Sequence, residues 1–197
     1  MKLSILIPIY NLPELTRRCL DSIPYDEDIE VIAIDDCSTD DMSFLKDYED
    51  RAKILYNEKN LGTGTTRNML LDLCQGDYIF GMDNDDYLLT ENFRKAIKEL
   101  DGTDMVYIDV RVNSGDVWRL NPSSRGVLCA FWSKFIRRDF TNGLRCIDDH
   151  GEFNGDWYFT DELLKRPHTE KYTNIVAYHY NFPRRNSLIW KKNHGIL

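Results

Sequence analysis

The residues best placed to do chemistry lie in "GMDNDDYL", where Asp83, Asn84, Asp85 and Asp86 directly follow the apolar run Tyr78-Ile79-Phe80. Acidic side chains crowded at the mouth of a buried strand repel one another unless a cation offsets them. In an extended segment, residues two apart share a face, so Asp83 and Asp85 aim at one point while Asn84 points away. Oxygen-only ligation at a partly open site suits Mg²⁺ or Mn²⁺, which keep waters and bind ligand phosphates. The plain alternative is a solvated turn with a capping aspartate. A second acidic pair, Asp35-Asp36, is followed by Cys37-Ser38-Thr39-Asp40. It reads either as an Asx-turn leading into a helix or as a carboxylate that accepts from a nucleobase imide or a ribose hydroxyl. Asn60-Leu61-Gly62-Thr63-Gly64 permits close backbone approach to a ligand. Arg67 follows near a helix start, where it suits a phosphate or a base carbonyl, or else forms a surface salt bridge.

These segments share a position relative to the elements around them. Leu3 to Ile9 is continuously apolar, as in a strand covered on both faces, and Asn11-Leu12-Pro13-Glu14 reads as a helix start with Asn11 as the cap. That helix is expected to run to about Ser22. Ile29 to Ile34 is a second strand, with a helix expected through Phe44, Leu45 and Tyr48. Lys53 to Tyr56 is a third strand, followed by a helix from about Thr65 to Cys74. Asp77 to Met82 is a fourth, followed by a helix from about Glu91 to Leu100 and a strand at Met105 to Val110. Alternating strands and helices imply parallel pairing through right-handed crossovers, and ligands gather beyond the carboxyl ends of such strands. Tyr10-Asn11, Asp35-Asp36, Asn60 to Arg67 and Asp83 to Asp86 each fall just after an expected strand, so they should converge on one rim. Beyond about residue 111 the pattern turns irregular.

Composition narrows the partners. The 197 residues suit one domain able to bury a core, with no repeat or linker, made of a regular half, 1–110, and an irregular half, 111–197. A net charge of −8 argues against a nucleic-acid backbone as partner. Five widely spaced cysteines with no CxxC pair read as reduced thiols of a cytoplasmic protein. The N-terminus reads as a first strand rather than a signal peptide, and no run approaches the ~18 apolar residues of a membrane span. Lys191-Lys192 beside Trp190 leaves a peripheral role at the inner membrane face open.

Taken together, "SILIPIYN", "IDDCSTDD", "NLGTGTTRN", "GDYIFGMDNDDYL" and "VAYHYNFPRRNSL" resemble the family 2 glycosyltransferases. The resemblance is dense over residues 3–90 and patchy afterwards. It implies the GT-A fold, an α/β Rossmann-like arrangement with a mixed, mostly parallel sheet flanked by helices. Pro8, Tyr10 and Asn11 would line the nucleotide pocket, and Asp35 or Asp36 would read the base, usually uracil. Asn60, Gly62 and Asn84 belong to the same pocket, with Arg67 near the base or diphosphate. Asp83 would face ribose and metal, and Asp85 would hold Mn²⁺ or Mg²⁺ against the diphosphate. The family usually carries a Glu-Asp pair before a helix in its second half; "NGDWYFTDELL" offers Asp156 with Gly155 where Glu is common. Asp156 is therefore the expected catalytic base, with Asp149 of "CIDDHG" and Asp161 as rivals and a helix cap as the plain reading. His179 reads as a packed strand histidine, with a third metal ligand as the competing role. Arg185 and Ser187 could approach the diphosphate as a lid.

The implied reaction is inverting transfer of a sugar, hexosyl or N-acetylhexosaminyl, from a nucleoside diphosphate, most simply UDP, to an acceptor hydroxyl. The acceptor is a glycan, a lipid-linked sugar or a protein side chain, and the short second half hints at a homo-oligomer or a partner protein. Two rivals stand beside it. One is a non-catalytic nucleotide-sugar-binding module. The other is a metal-dependent phosphohydrolase with Asp83 as nucleophile and Asp85 as acid.

Overall fold

The first strand, β1 (Leu3–Ile9), shows why its apolar run is unbroken. Leu3, Ile5, Ile7 and Ile9 face one hydrophobic cluster, while Leu6 faces another on the opposite side of the sheet. The side chains alternate across the pleat, and both faces are covered. The structure, a computed structural model, describes residues 2–124, 128–147 and 155–185.

β2 (Ile29–Asp35), β3 (Lys53–Tyr56) and β4 (Tyr78–Gly81) join β1 in parallel, in the spatial order β3-β2-β1-β4. Helix α1 (Pro13–Asp21), a 3₁₀ turn (Ser43–Tyr48) and α3 (Thr90–Ile97) contribute Leu20, Leu45 and Phe93 to one face. Helix α2 (Thr63–Leu73) contributes Leu70 to the other. β5 (Tyr87–Leu88), β6 (Met105–Val112) and the short β7 (Val117–Trp118) follow. β8 (Lys134–Arg137) then runs antiparallel between β4 and β6, and a four-residue helix α4 (Arg138–Thr141) leaves it. Helix α5 (Gly155–Leu164) packs Phe159 and Leu163 beside Leu70 and Ile79. The last strand among the described residues, β9 (Glu170–Tyr180), is parallel to β6 and carries β5 on its far side. The whole is a mixed sheet ordered β3-β2-β1-β4-β8-β6-β9-β5, with β7 on β6.

Register places the loops. Ile9 of β1 lies opposite Asp35 of β2, and Leu6 opposite Gly81 of β4, so the loops after all three strands leave one edge. Pro8 fits there. The Leu6 carbonyl accepts from Met82 N on the β4 side, and the Ile9 carbonyl accepts from Asp36 N on the β2 side. By alternation Pro8 faces the β4 side just past the end of that pairing, where a strand proline can do without its donor.

Two local expectations are corrected. Asn11 does not cap α1: both Asn11 and Leu12 have positive φ, 57° and 65°, and no side chain caps the helix. Its Oδ1 instead accepts from the backbone of Thr39, at 2.7 Å, and of Asp40, at 3.0 Å. The segment after Asp36 holds only the six-residue 3₁₀ turn rather than an α-helix. Asn11, Asp35 and Asp41 accept the backbone N–H groups of Thr39, Asp40, Ser38 and Ser43, and that competition keeps the loop open. Elsewhere bounds move by a few residues; α2 begins at Thr63, directly after Gly62 at φ 85°.

Candidate functional site

Past Gly81 the chain makes the turn that holds the acidic residues. One carboxylate oxygen from each of Asp83, Asp85 and Asp86 lies within 4.8 Å of the others. Asp86 is a brace: fully buried, it accepts from the Tyr178 hydroxyl at 2.6 Å and from Asn181 N at 2.7 Å, tying the turn to the end of β9. Asp83 and Asp85 keep side-chain exposures of 31% and 20%, which leaves them the pair able to meet a ligand. Arg67 donates to Asp83 at 2.9 Å and Arg184 to Asp85 at 2.8 Å. Asn84 turns the other way, as alternation requires, and clips the turn to the Asn11 carbonyl and Thr16 Oγ1.

Burial pushes the Asp83 carboxyl up to about 6; Arg67 opposes the shift, while the charges of Asp85 and Asp156 add to it. Asp86 is pushed well above the usual carboxylate range by burial and then by the charges of Asp85 and Asp83. Crowded, desolvated carboxylates resist ionisation unless positive charge is close. Hard oxygen donors, two of them part exposed at an open edge, are a donor set that fits Mg²⁺ or Mn²⁺ with water or phosphate completing the shell.

The Asp35-Asp36 pair divides its labour. Asp36 is buried and accepts from Asn57 Nδ2 at 2.7 Å and from the N–H groups of Leu61 and Gly62, both at 2.9 Å. It closes the loop that leads into α2, and Asn60 Nδ2 reinforces it by donating to the Asp36 carbonyl at 3.2 Å. Asp35 accepts from the N–H and hydroxyl of Ser38, whose Oγ takes the Asn11 N–H at 2.7 Å. Tyr10, at the end of β1 beside them, is 45% exposed and presents an aromatic ring at the ledge.

From the second half of the chain, Asp156 arrives in the first turn of α5. Its Oδ1 accepts from Trp157 N at 3.0 Å, a helix-start contact, and stands 3.9 Å from Arg67. Arg67 thus lies between Asp83 and Asp156, with only 11% of its side chain exposed. Asp161 pairs instead with Lys165 at 2.9 Å on the half-exposed side of the helix. Asp149 and Ser187 lie outside the described residues, as do Trp190 and Lys191-Lys192.

The decisive observation is a match of the "Glycosyl transferase family 2" description to residues 4–191. The chain belongs to that family. A poly(ribitol-phosphate) beta-glucosyltransferase of Bacillus spizizenii is 38% identical over 100 residues, 46% of this chain and 16% of that protein. The poly(ribitol-phosphate) beta-N-acetylglucosaminyltransferase TarS of Staphylococcus aureus is 30% identical over 109 residues, 51% of this chain and 19% of that protein. The matches thus span less than a fifth of either relative. In structure, S. aureus TarS 1–349 in complex with UDP-GlcNAc superposes with a TM-score of 0.79 at 21% identity, over 96% of this chain and 61% of that one. The mannosyltransferase PcManGT of Pyrobaculum calidifontis, in complex with GDP-Man and Mn²⁺, gives 0.74 at 17% identity over 98% and 60%. The fold of this family 2 chain is the GT-A fold.

Three features of this GT-A ledge were harder to read. His179 packs in β9: its ring lies 4.3 Å from that of Tyr87, Nε2 meets Asn113 Oδ1 at 3.0 Å, and it is not in the carboxylate cluster. Arg184, next to the expected Arg185, is the arginine on Asp85. Lys134 is fully buried in β8, and its sequence signal is a lysine inside the apolar run "FWSKFI". Among the described residues, no helix is long and apolar enough to cross a membrane.

Proposed function

We propose that this chain transfers a sugar from a UDP-sugar to an acceptor hydroxyl, with inversion at the anomeric carbon. The observation that carries this reading is the line Asp83–Arg67–Asp156 at one edge of the sheet, with Asp85 beside it. Tyr10 offers a face for the base, and Asp35, held by Ser38, suits an imide N–H better than Asp36, whose two oxygens already close the neighbouring loop. A divalent cation held by Asp83 and Asp85 would supply neutralisation of the charge developing on the leaving diphosphate. Asp156 takes the proton of the attacking hydroxyl as general base, and Arg67 orients it relative to the donor side of the ledge. Gly155 leaves that base without the usual Glu beside it. The relatives named for poly(ribitol-phosphate) make a polyol-phosphate polymer the first acceptor to try. A cytoplasmic setting agrees with five thiols, four of them buried.

The test is a thermal-shift panel of UDP, GDP and their sugars with and without Mn²⁺, since a ligand bound by the native state alone raises the melting point. A rise with UDP that needs metal and disappears in Asp85→Ala supports the reading. A wild type indifferent to every nucleotide overturns it. Turnover of simple phosphomonoesters without a nucleotide response would favour the hydrolase.

A further inference from the structure

Behind the ledge, Lys134 stands at the start of β8, opposite Tyr107 of β6 and with no exposed surface. Its Nζ donates to the carbonyls of Leu128 and Ala130, at 2.6 and 2.7 Å, and to Ser133 Oγ at 3.2 Å. Those three oxygens match the three donors of an ammonium group. None is a carboxylate, and burial pulls the Lys134 pKa down to about 7. A methionine would fill the same space without the desolvation penalty of a cation. The ammonium therefore has work to do on the carbonyls it grips.

Those carbonyls border the short 3₁₀ turn Phe131–Ser133. Phe131 is wedged among the parts that define the site. A Cβ on Gly81 would fall 1.8 Å from its ring, so β4 needs glycine there. Its ring centroid lies 5.1 Å from that of Phe159, three residues past Asp156 in α5. The Arg67 guanidinium sits over the same ring at 5.7 Å. Phe131 thus touches both the arginine that joins Asp83 to Asp156 and the helix that carries Asp156.

We propose that Lys134 is a positioning residue for the transfer reaction: by tying down the carbonyls of Leu128 and Ala130 it seats Phe131, and Phe131 sets Arg67 against Asp83 and Asp156. This rests on the glycosyltransferase reading above. Purely structural lysines change melting; a positioning lysine also changes turnover in the enzyme that remains folded.

Steady-state kinetics with UDP-GlcNAc, or whichever UDP-sugar wild type turns over, separates the two. In Lys134→Met, kcat is expected to fall about 10- to 100-fold while donor KM stays within about threefold, because small misplacements of reacting groups are felt mainly in turnover. Phe131→Leu should give the same signature and supplies it alone if Lys134→Met does not fold. The double variant should be no slower than the slower single, since both act through one contact. Wild-type kcat in either folded single variant, or losses that multiply in the double, would overturn the positioning role while leaving the glycosyltransferase intact. A wild type that neither binds nor turns over any nucleotide sugar defeats both readings at once.

Discussion

The two stretches of chain that meet at the ledge hold their residues there in different ways. Between β1 and β4 the loops are fastened by side chains that bond to the backbone or to α1: Asp36 closes 57–62 and Asn11 and Asp35 hold 38–40 by accepting N–H groups, while the Asn84 amide donates to the Asn11 carbonyl and to Thr16 Oγ1 of α1. Register in a parallel sheet then fixes these loops relative to one another. The later stretch is braced at Asp86 by Tyr178 and Asn181 and otherwise reaches the same place through charge. Asp156 meets Arg67 at 3.9 Å and Arg184 meets Asp85 at 2.8 Å. Charge pairs can be exchanged for a ligand's own phosphates or cation, whereas fastened backbone cannot. The lesson is that the loops of the first stretch are prebuilt, whereas the charge contacts of the second are exchangeable.

The largest effect that would break this contrast belongs to Asp156. Asp156→Ala should slow transfer by about 10³-fold, in the range for loss of a general base, yet leave the metal-dependent UDP shift and the melting point nearly as they were. Loss of UDP binding instead would place Asp156 on the donor side. The counterpart is Asp36→Ala, which strands two part-buried N–H groups and the Asn57 amide. It should destabilise the fold by about 2 kcal/mol, read as a lowered urea midpoint, with UDP affinity falling alongside. If Asp36→Ala melts like wild type, the loop is fastened by something else.

The prebuilt side was also the legible side. Continuous apolar runs mark β1, β2 and β4, and the strand-end rule places Tyr10, Asp35, Arg67 and Asp83 on one edge. Within that edge, sequence could not tell Asp35 from Asp36, because adjacent carboxylates differ only in which N–H groups the loop turns toward them. It misjudged Asn11 for a similar reason: an asparagine before Pro13 looks like a helix cap until Thr39 and Asp40, 28 and 29 residues on, compete for its oxygen. The second stretch was poorly read because β8 is antiparallel and inserted between β4 and β6, a pairing with no local signature. Arg184 and Lys134 depend on that insertion and on the return of β9.

Gly81 is where the two regions touch. Gly81→Ala drives a methyl into Phe131, which is itself buried against Phe159, so overpacking should cost about 2 kcal/mol in urea unfolding. An alanine tolerated without loss would mean that the Phe131 turn yields easily, and the seam between the regions is softer than its packing indicates.

The smallest effects sharpen the contrast through two histidines of the later stretch. The His168 ring is pulled down by burial, but the Arg166 carbonyl and Glu170 outweigh that and leave its pKa raised. Its stabilisation is therefore complete below the unfolded value of about 6.5 and is lost as pH rises through the higher folded value. His179 is lowered by burial first, then by Arg18 and Arg111. Its Nδ1 is buried without a hydrogen-bond partner, so protonation there would add an unsatisfied donor. Its contribution is complete above about 6.5 and is lost as pH falls through the lower folded value. Melting curves between pH 5 and 8 should thus show His168→Gln losing most relative to wild type at low pH and His179→Gln losing most at high pH. Because His179 lies against Tyr87 and Asn113 rather than among the carboxylates, His179→Gln should also keep the Mn²⁺-dependent UDP shift at pH 7.5. A shift abolished there, with the fold intact, would make that histidine a metal ligand and move part of the donor site onto β9.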